Sequence, residues 1–362
     1  MPRLLAIAVP TGPGFVRELT GAWADGDAVL PVDPRLPRPA VAALLRALRP
    51  HLLVDETAEH HRLPDPLPTA DGDALVVATS GTTGAPKGVV LTHDAVAASA
   101  EASHARLAVD PSTDAWLALL PVAHVGGLSV VTRALATGTP LVFDDDDDER
   151  PATLVSLVPT QANRLALDRF RVVLVGGSAD WRDRPGNVVR TYGLTETGSG
   201  IAYDGVPLDG VEVRVDPDGQ LAVRGPMLLR AYRDGTDPKD GDGWLPTGDV
   251  GGWDGDGRLV VHGRAGEVIV TGGEKVWPTP VEEALRSHPG VADAAVAGRP
   301  DADWGHRVVA FVVPVDAGAP PSLGTLRDHV RRTLPAYAAP RELVLTPGLP
   351  RTALGKIRRN LL

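Results

Sequence analysis

Hydrophobic positions along the chain follow two rhythms. Unbroken apolar runs of strand length, "ALVVAT" (74–79), "AWLALLP" (115–121), "TPLVFD" (139–144) and "RVVLVGG" (171–177), each stop at turn residues or acids. Between them, apolar positions recur at helical spacing in "RPAVAALLRALRP" (38–50) and "HDAVAASAEASHARLA" (93–108). This alternation predicts an α/β domain with a largely parallel sheet. The opening "MPRLLAIAVPTG" carries an apolar run too short for a signal-peptide core, and reads as a strand ended by proline and glycine. From 205 to 261 the rhythm changes to short strands with "DPDG" and "DGDG" turns, a β-rich subregion. Past "HGRAGE" (262–267) the pattern runs strand, helix, strand, strand, helix through "EVIVTGG", "TPVEEALRSHPGV", "ADAAVAGRP", "RVVAFVVP" and "LGTLRDHVRRTL". The expected organisation is a large α/β domain over 1–264 and a small α+β domain over 265–362.

Composition narrows the partners. With 362 residues there is room for about two domains. The net charge of -10, with no basic stripe to offset it, argues against nucleic acid. The absence of cysteine excludes disulfides, thiolate metal sites and a cysteine nucleophile. No apolar run approaches the roughly 18 residues of a membrane span, so a cytoplasmic chain is expected. The acidic run "DDDDDE" (144–149) reads as a solvated loop at a strand end.

The stretch "ATSGTTGAPKGVVLTH" (78–93) raises the first chemical question. It fails the Walker pattern, because Pro86 precedes Lys87 and Gly88 follows it. The underlying physics still suits a polyphosphate: glycine-freed amides, the hydroxyls of Thr79, Ser80, Thr82 and Thr83, and one mobile ammonium.

Further segments join it: "LPVAHVGGL" (120–128), "VGGSAD" (175–180), "YGLTETGSG" (192–200), "TGD" (247–249), "GRAGEVIVTGG" (263–273) and "PRTALGKIRR" (350–359). With "TSGTTGAPKG" (79–88) these resemble, in order, the motifs of the acyl- and aryl-adenylate-forming family of acyl-CoA synthetases, luciferases and carrier-loading adenylation domains. The resemblance spans residues 73–362. It implies a ligase for which ATP, Mg²⁺ and coenzyme A are the cofactors and a small-molecule carboxylic acid is the partner. The acid displaces pyrophosphate from ATP, and a thiol then takes the acyl group from the adenylate. In-line displacement between anions needs positioning and charge neutralisation more than covalent help from the protein.

Carried over motif by motif, the resemblance gives Thr79, Ser80, Gly81, Thr82, Thr83 and Lys87 to the departing pyrophosphate. Gly176, Gly177 and Ser178 would form the adenine-side backbone, and Tyr192 would stack on adenine. Thr195 would reach the α-phosphate and Glu196 would hold Mg²⁺. Asp249 would hold the ribose hydroxyls with Arg264 behind it. Lys356 resembles the mobile lysine that bridges the acid and the α-phosphate, on a C-terminal domain that swings between half-reactions. Gly272 and Gly273 would let the pantetheine arm pass. One departure is Gly266, where the family usually carries an acidic or lysine hinge residue. Glycine gives dihedral freedom but no anchoring side chain.

Two features bear on the acid. Only 78 residues precede the phosphate loop, a shortening that resembles the actinobacterial 2-succinylbenzoate–CoA ligases of menaquinone biosynthesis. Nine residues after His124, Arg133 falls on an apolar helix expected to line the acyl pocket. A buried arginine without a partner is costly, so Arg133 either faces solvent or meets a second carboxylate on the substrate. His124, Thr197, Gly198 and Ser199 are expected to line the same cavity. Another acyl- or aryl-CoA ligase and a carrier-loading adenylation enzyme are the alternatives. The sequence leaves a homodimer open.

Overall fold

The computed structural model describes the chain outside residues 81–85, 144–150, 163, 177–184 and 352–356. The acidic run at 144–149 therefore lies outside the described residues. By internal packing the chain forms two units. One is built from Met1–Gly177, Asp183–Arg214 and Ala222–Pro246, the other mainly from Val215–Leu221 and Thr247–Leu362. Residues 247–264 thus pack with the C-terminal segment. The expected cut after Arg264 thus falls inside the second unit.

The first unit contains two seven-stranded sheets. In one, Leu4–Ile7 runs parallel to Ala28–Pro31 and to Leu52–Val54, and Asp73–Ser80 runs parallel to Ala28–Pro31. Pro86–Thr92 then returns antiparallel along Asp73–Ser80. In the other, Trp116–Leu117, Leu154–Leu157, Val172–Gly176 and Val188–Gly193 are parallel, and Gly200–Tyr203 closes antiparallel on the last. Every residue of Leu4–Ile7, Ala28–Pro31 and Leu154–Leu157 is buried. Strands covered on both faces read as continuous apolar runs instead of alternating ones, which is why Leu4–Ile7 was legible as a strand.

The helices His93–Leu107 and Val125–Thr137 pack on each other. His93–Leu107 touches strands of both sheets, and Val125–Thr137 lies against the second sheet. Thr92 caps the first of these helices by accepting from the Ala95 N–H at 3.1 Å. The second ends at Gly138, whose φ of 69° is the left-handed stop that glycine favours. Residues 127–134 are all buried. A helix buried all round lies inside a core, and this placement fixes the surroundings of Arg133.

The second unit holds a sheet ordered Glu274–Val276, Ile269–Thr271, Gly305–Pro314, Val291–Asp301, with Glu342–Leu345 parallel to Gly305–Pro314. Pro278–Arg286 and Leu323–Val330 are its helices, and Leu285, Val296, Val308, Ala310 and Leu326 are core residues. The expected strand–helix–strand–strand–helix order appears. The strands Glu274–Val276 and Glu342–Leu345 were not foreseen. They are three and four residues long and largely uncovered, so no periodicity betrays them.

Candidate functional site

In the first unit the site grows from the hairpin of Asp73–Ser80 and Pro86–Thr92. Thr79 pairs with Lys87 across it, and Ser80 with Pro86. The chain passes from strand to strand here, whereas a Walker loop passes from strand to helix, in accord with the failed pattern. Gly81, Thr82 and Thr83 lie outside the described residues, and the Ser80 side chain is not described. Lys87 is exposed, and its ammonium stands 5.0 Å from the centroid of the Tyr232 ring.

Tyr232 links that lysine to the expected metal ligand. It lies on the two-residue strand Ala231–Tyr232, opposite Val89, and its hydroxyl donates to Glu196 Oε1 at 3.1 Å. Burial and the neighbouring carboxylate push the phenol up to about 12, so it stays a donor across the neutral range. The Glu196 carbonyl accepts from Leu229 N–H at 2.7 Å, which pins the turn to the segment before Tyr232. Thr195 and Glu196 are half-buried on the 3₁₀ turn Thr195–Thr197. A half-buried carboxylate is the hard oxygen donor that Mg²⁺ prefers, so Glu196 fits the expected ligand. Gly176 ends its strand opposite Thr191, one residue before Tyr192. These are carboxyl ends of parallel strands, where α/β sheets take ligands. Gly177 and Ser178 lie outside the described residues.

On the acid side, Arg133 is only 2% exposed. Its Nη2 donates to Ser199 Oγ at 2.8 Å, and its guanidinium lies 4.8 Å from the Trp116 ring centroid. Its Nη1 is buried with no hydrogen-bond partner among the described residues. A buried donor left unmade costs about 1–3 kcal/mol, more when charged. A narrow cavity is lined by Leu75, Leu91, Val96, Ser129, Arg133 and Gly198, among others. Of the expected lining residues, Gly198 is on this wall. Thr197 is fully buried, and its hydroxyl serves Leu194 and the Ser199 carbonyl. Ser199 faces Arg133.

Behind Arg133, Trp116 donates its indole N–H to His104 Nε2 at 3.2 Å. Burial, aided by the Arg133 charge, lowers the His104 pKa to about 4, so His104 is a neutral acceptor. His124 is the N-cap residue of the helix carrying Arg133, without a side-chain cap bond. It is half-buried, and burial lowers its pKa. A Cβ on Gly127 would collide with the Leu120 and Pro121 carbonyls, so the second glycine of "VGGL" lets this helix start against the preceding turn.

In the second unit, Asp249 and Arg264 face each other across a hairpin, Arg264 Nε 3.0 Å from Asp249 Oδ1. Arg264 also donates to the Thr247 carbonyl at 2.7 Å. Asp249 is 6% exposed, and Gly248 beside it, within the strand Leu245–Trp253, has a φ of 72° that glycine accommodates. Gly272 and Gly273 form the turn between Ile269–Thr271 and Glu274–Val276, with φ of 58° and 86°. Lys356 lies outside the described residues. Gly266 sits in the 3₁₀ turn Ala265–Glu267.

Sequence reasoning missed Tyr232, Trp116 and His104. Trp116 and His104 sit in segments read only as strand and helix. Tyr232 belongs to no motif, and only tertiary pairing brings it to Glu196.

Comparison with known proteins identifies the family. Residues 55–233 match the AMP-binding enzyme family model, and 280–356 match the AMP-binding enzyme C-terminal domain. A probable 2-succinylbenzoate–CoA ligase of Mycobacterium tuberculosis is 44% identical over 325 residues, 81% of this chain and 84% of that protein. The 2-succinylbenzoate–CoA ligase of Bacillus subtilis is 32% identical over 339 residues, 81% and 69% of the two chains. The structure of the o-succinylbenzoate CoA synthetase of Bacillus subtilis with its acyl-adenylate intermediate superposes with a TM-score of 0.85 at 26% identity, covering 99% of this chain and 87% of that one. The same enzyme was solved with ATP and magnesium, again with a TM-score of 0.85.

Proposed function

Since the chain belongs to the AMP-binding enzyme family, we propose that it is an ATP-dependent ligase that joins 2-succinylbenzoate to coenzyme A. The aliphatic carboxylate attacks the α-phosphorus of ATP and expels pyrophosphate, leaving an acyl-adenylate. The thiol of coenzyme A then attacks the acyl carbon and expels AMP. The reaction belongs in the cytoplasm, where ATP and coenzyme A are supplied.

The observation that carries the choice of acid is Arg133 Nη1, a buried cationic donor with no partner among the described residues, on a chain 44% identical to a protein named for this substrate. An acid whose only carboxylate is consumed in the reaction leaves that donor unpaired. The ring carboxylate of 2-succinylbenzoate answers it. A hydrogen bond to a charged group is worth about 1.5–3 kcal/mol, or roughly ten- to 150-fold in affinity.

In this reading Lys87, Thr79, Ser80, Gly81, Thr82 and Thr83 draw off the pyrophosphate, Thr195 steadies the α-phosphate, and Glu196 would hold Mg²⁺. Magnesium, when bound, supplies charge neutralisation on the phosphates. Tyr192 and the 176–178 backbone take adenine, Asp249 with Arg264 takes the ribose, and His124 borders the acyl group. Lys356 serves adenylation, and Gly272 and Gly273 serve the pantetheine arm after the domain beyond Arg264 has turned.

The test is a panel of carboxylic acids scored by pyrophosphate release and, with coenzyme A, by thioester mass. The expected result is release and thioester with 2-succinylbenzoate. Failure to form a mixed anhydride with any acid, or preferential use of an acid with one carboxylate, would overturn the reading. Lys356→Ala is expected to abolish nearly all adenylation while preformed acyl-adenylate still reacts with coenzyme A. Equal loss of both steps would contradict the division of labour.

A further inference from the structure

The surroundings of Arg133 go further than naming it as a ligand. A free guanidinium is a fork that takes a carboxylate side-on through two nitrogens. Here one nitrogen is already committed: Nη2 donates to Ser199 Oγ at 2.8 Å. The plane is also held, since the guanidinium carbon lies 4.8 Å from the Trp116 ring centroid, and Trp116 is fully buried. Trp116 cannot turn freely either, because its indole N–H is tied to His104 Nε2 at 3.2 Å. Ser199 is fixed in turn by its own loop, where the Thr197 hydroxyl reaches the Ser199 carbonyl at 2.7 Å. Of the remaining nitrogens, Nη1 is the one that is fully buried and without a partner among the described residues, on a residue that lines the cavity.

We propose that Ser199 and Trp116 are positioning residues that hold the Arg133 guanidinium so that Nη1 alone receives the second carboxylate of the substrate, end-on. The inference rests on the reading of Arg133 given above. It makes specificity a property of three elements: the strand Trp116–Leu117, the helix Val125–Thr137 and the loop after Glu196. The loop that offers Glu196 to the nucleotide side therefore also sets the aim of Arg133 on the acid side. Arg133→Lys would not preserve the device, because an ammonium has no plane to lie along Trp116 and no second nitrogen for Ser199.

Steady-state kinetics on the full chain with two acids test the proposal. One is 2-succinylbenzoate. The other is 4-oxo-4-phenylbutanoate, the same molecule without the ring carboxylate. Ser199→Ala is expected to raise KM for the diacid about five- to tenfold, leave kcat within about twofold, and leave the monoacid KM unchanged. Ser199→Thr, which keeps the hydroxyl, is expected to restore most of the loss. Trp116→Phe keeps a ring face and is expected to raise the diacid KM by about two- to threefold. In the Arg133→Met background, Ser199→Ala is expected to change neither KM, since its effect passes through Arg133. If Arg133→Met is selective for the diacid but Ser199→Ala and Trp116→Phe leave its KM unchanged, the positioning proposal fails and the reading of Arg133 stands. If Arg133→Met weakens both acids equally, that reading itself fails. A Ser199→Ala effect that persists in full in the Arg133→Met background would show a merely structural role and overturn the proposal.

Discussion

Two arginines are buried in the first unit among the described residues, and they spend their donors in opposite ways. Arg233 gives Nε to the Leu48 carbonyl at 3.2 Å, Nη1 to the Pro68 carbonyl at 2.6 Å and Nη2 to the Leu67 carbonyl at 2.7 Å. Its backbone N–H goes to the Gly88 carbonyl at 2.7 Å. It ties the end of the helix Arg38–Leu48 to the segment at 67–68 through three carbonyls. Arg133 has one side-chain partner, Ser199, one ring, Trp116, and a nitrogen left over. Burial alone therefore does not decide role. The hydrogen bonds separate them: the Arg233 guanidinium ties three carbonyls together, and Arg133 keeps a buried nitrogen without a partner among the described residues.

The sharpest way to break this contrast is to swap each arginine for methionine, which keeps bulk and removes charge. Arg233→Met takes the donor from one buried and two part-buried carbonyls and is expected to lower unfolding free energy by about 3 kcal/mol, read as the denaturation midpoint. Arg133→Met removes an incompletely satisfied buried charge, so stability is expected to hold or rise by up to about 1 kcal/mol. Its cost should appear in catalysis alone, as a roughly ten- to 150-fold loss of kcat/KM for 2-succinylbenzoate. If Arg133→Met unfolded the protein as readily as Arg233→Met, the two sites would be alike and the contrast would dissolve.

A smaller effect comes from Tyr232→Phe, which releases Glu196 Oε1 from its donor. The expected change is a few-fold shift in the magnesium concentration that half-saturates pyrophosphate release, and no change in acid preference. A changed preference between the two acids would mean that the nucleotide and acid ends are coupled through this tyrosine.

The smallest is a pH effect behind Arg133. The folded-state pKa of His104 is lowered to about 4 from an ordinary value of 6.5. The unfolded chain therefore binds more protons between these values, and stability falls as pH drops from about 6.5 toward 4. His104→Gln keeps an acceptor for Trp116 but does not titrate, so its melting temperature should fall less steeply over that range. Parallel curves for the two proteins would show that His104 is not held neutral.

Features with a local cause were legible in the sequence. Leu4–Ile7 and Val172–Gly176 are read from unbroken apolar runs, Val125–Thr137 from its motif and apolar spacing, and the pairing of Asp249 with Arg264 from their motifs. What could not be read depends on residues distant in the chain. Arg133 reaches Ser199 across 66 positions, and Tyr232 reaches Glu196 across 36, so neither leaves a periodic or compositional trace. The sequence posed a choice between solvent and a partner for Arg133. Burial removes solvent from that choice, and Nη1 has no partner among the described residues.

The central claim is that this nitrogen reads a second carboxylate, and one comparison tests it most directly. With ATP and magnesium saturating, pyrophosphate release by the unaltered protein is measured for 2-succinylbenzoate and for 4-oxo-4-phenylbutanoate. The account predicts a kcat/KM advantage of roughly ten- to 150-fold for the diacid. Equal values for the two acids would contradict it.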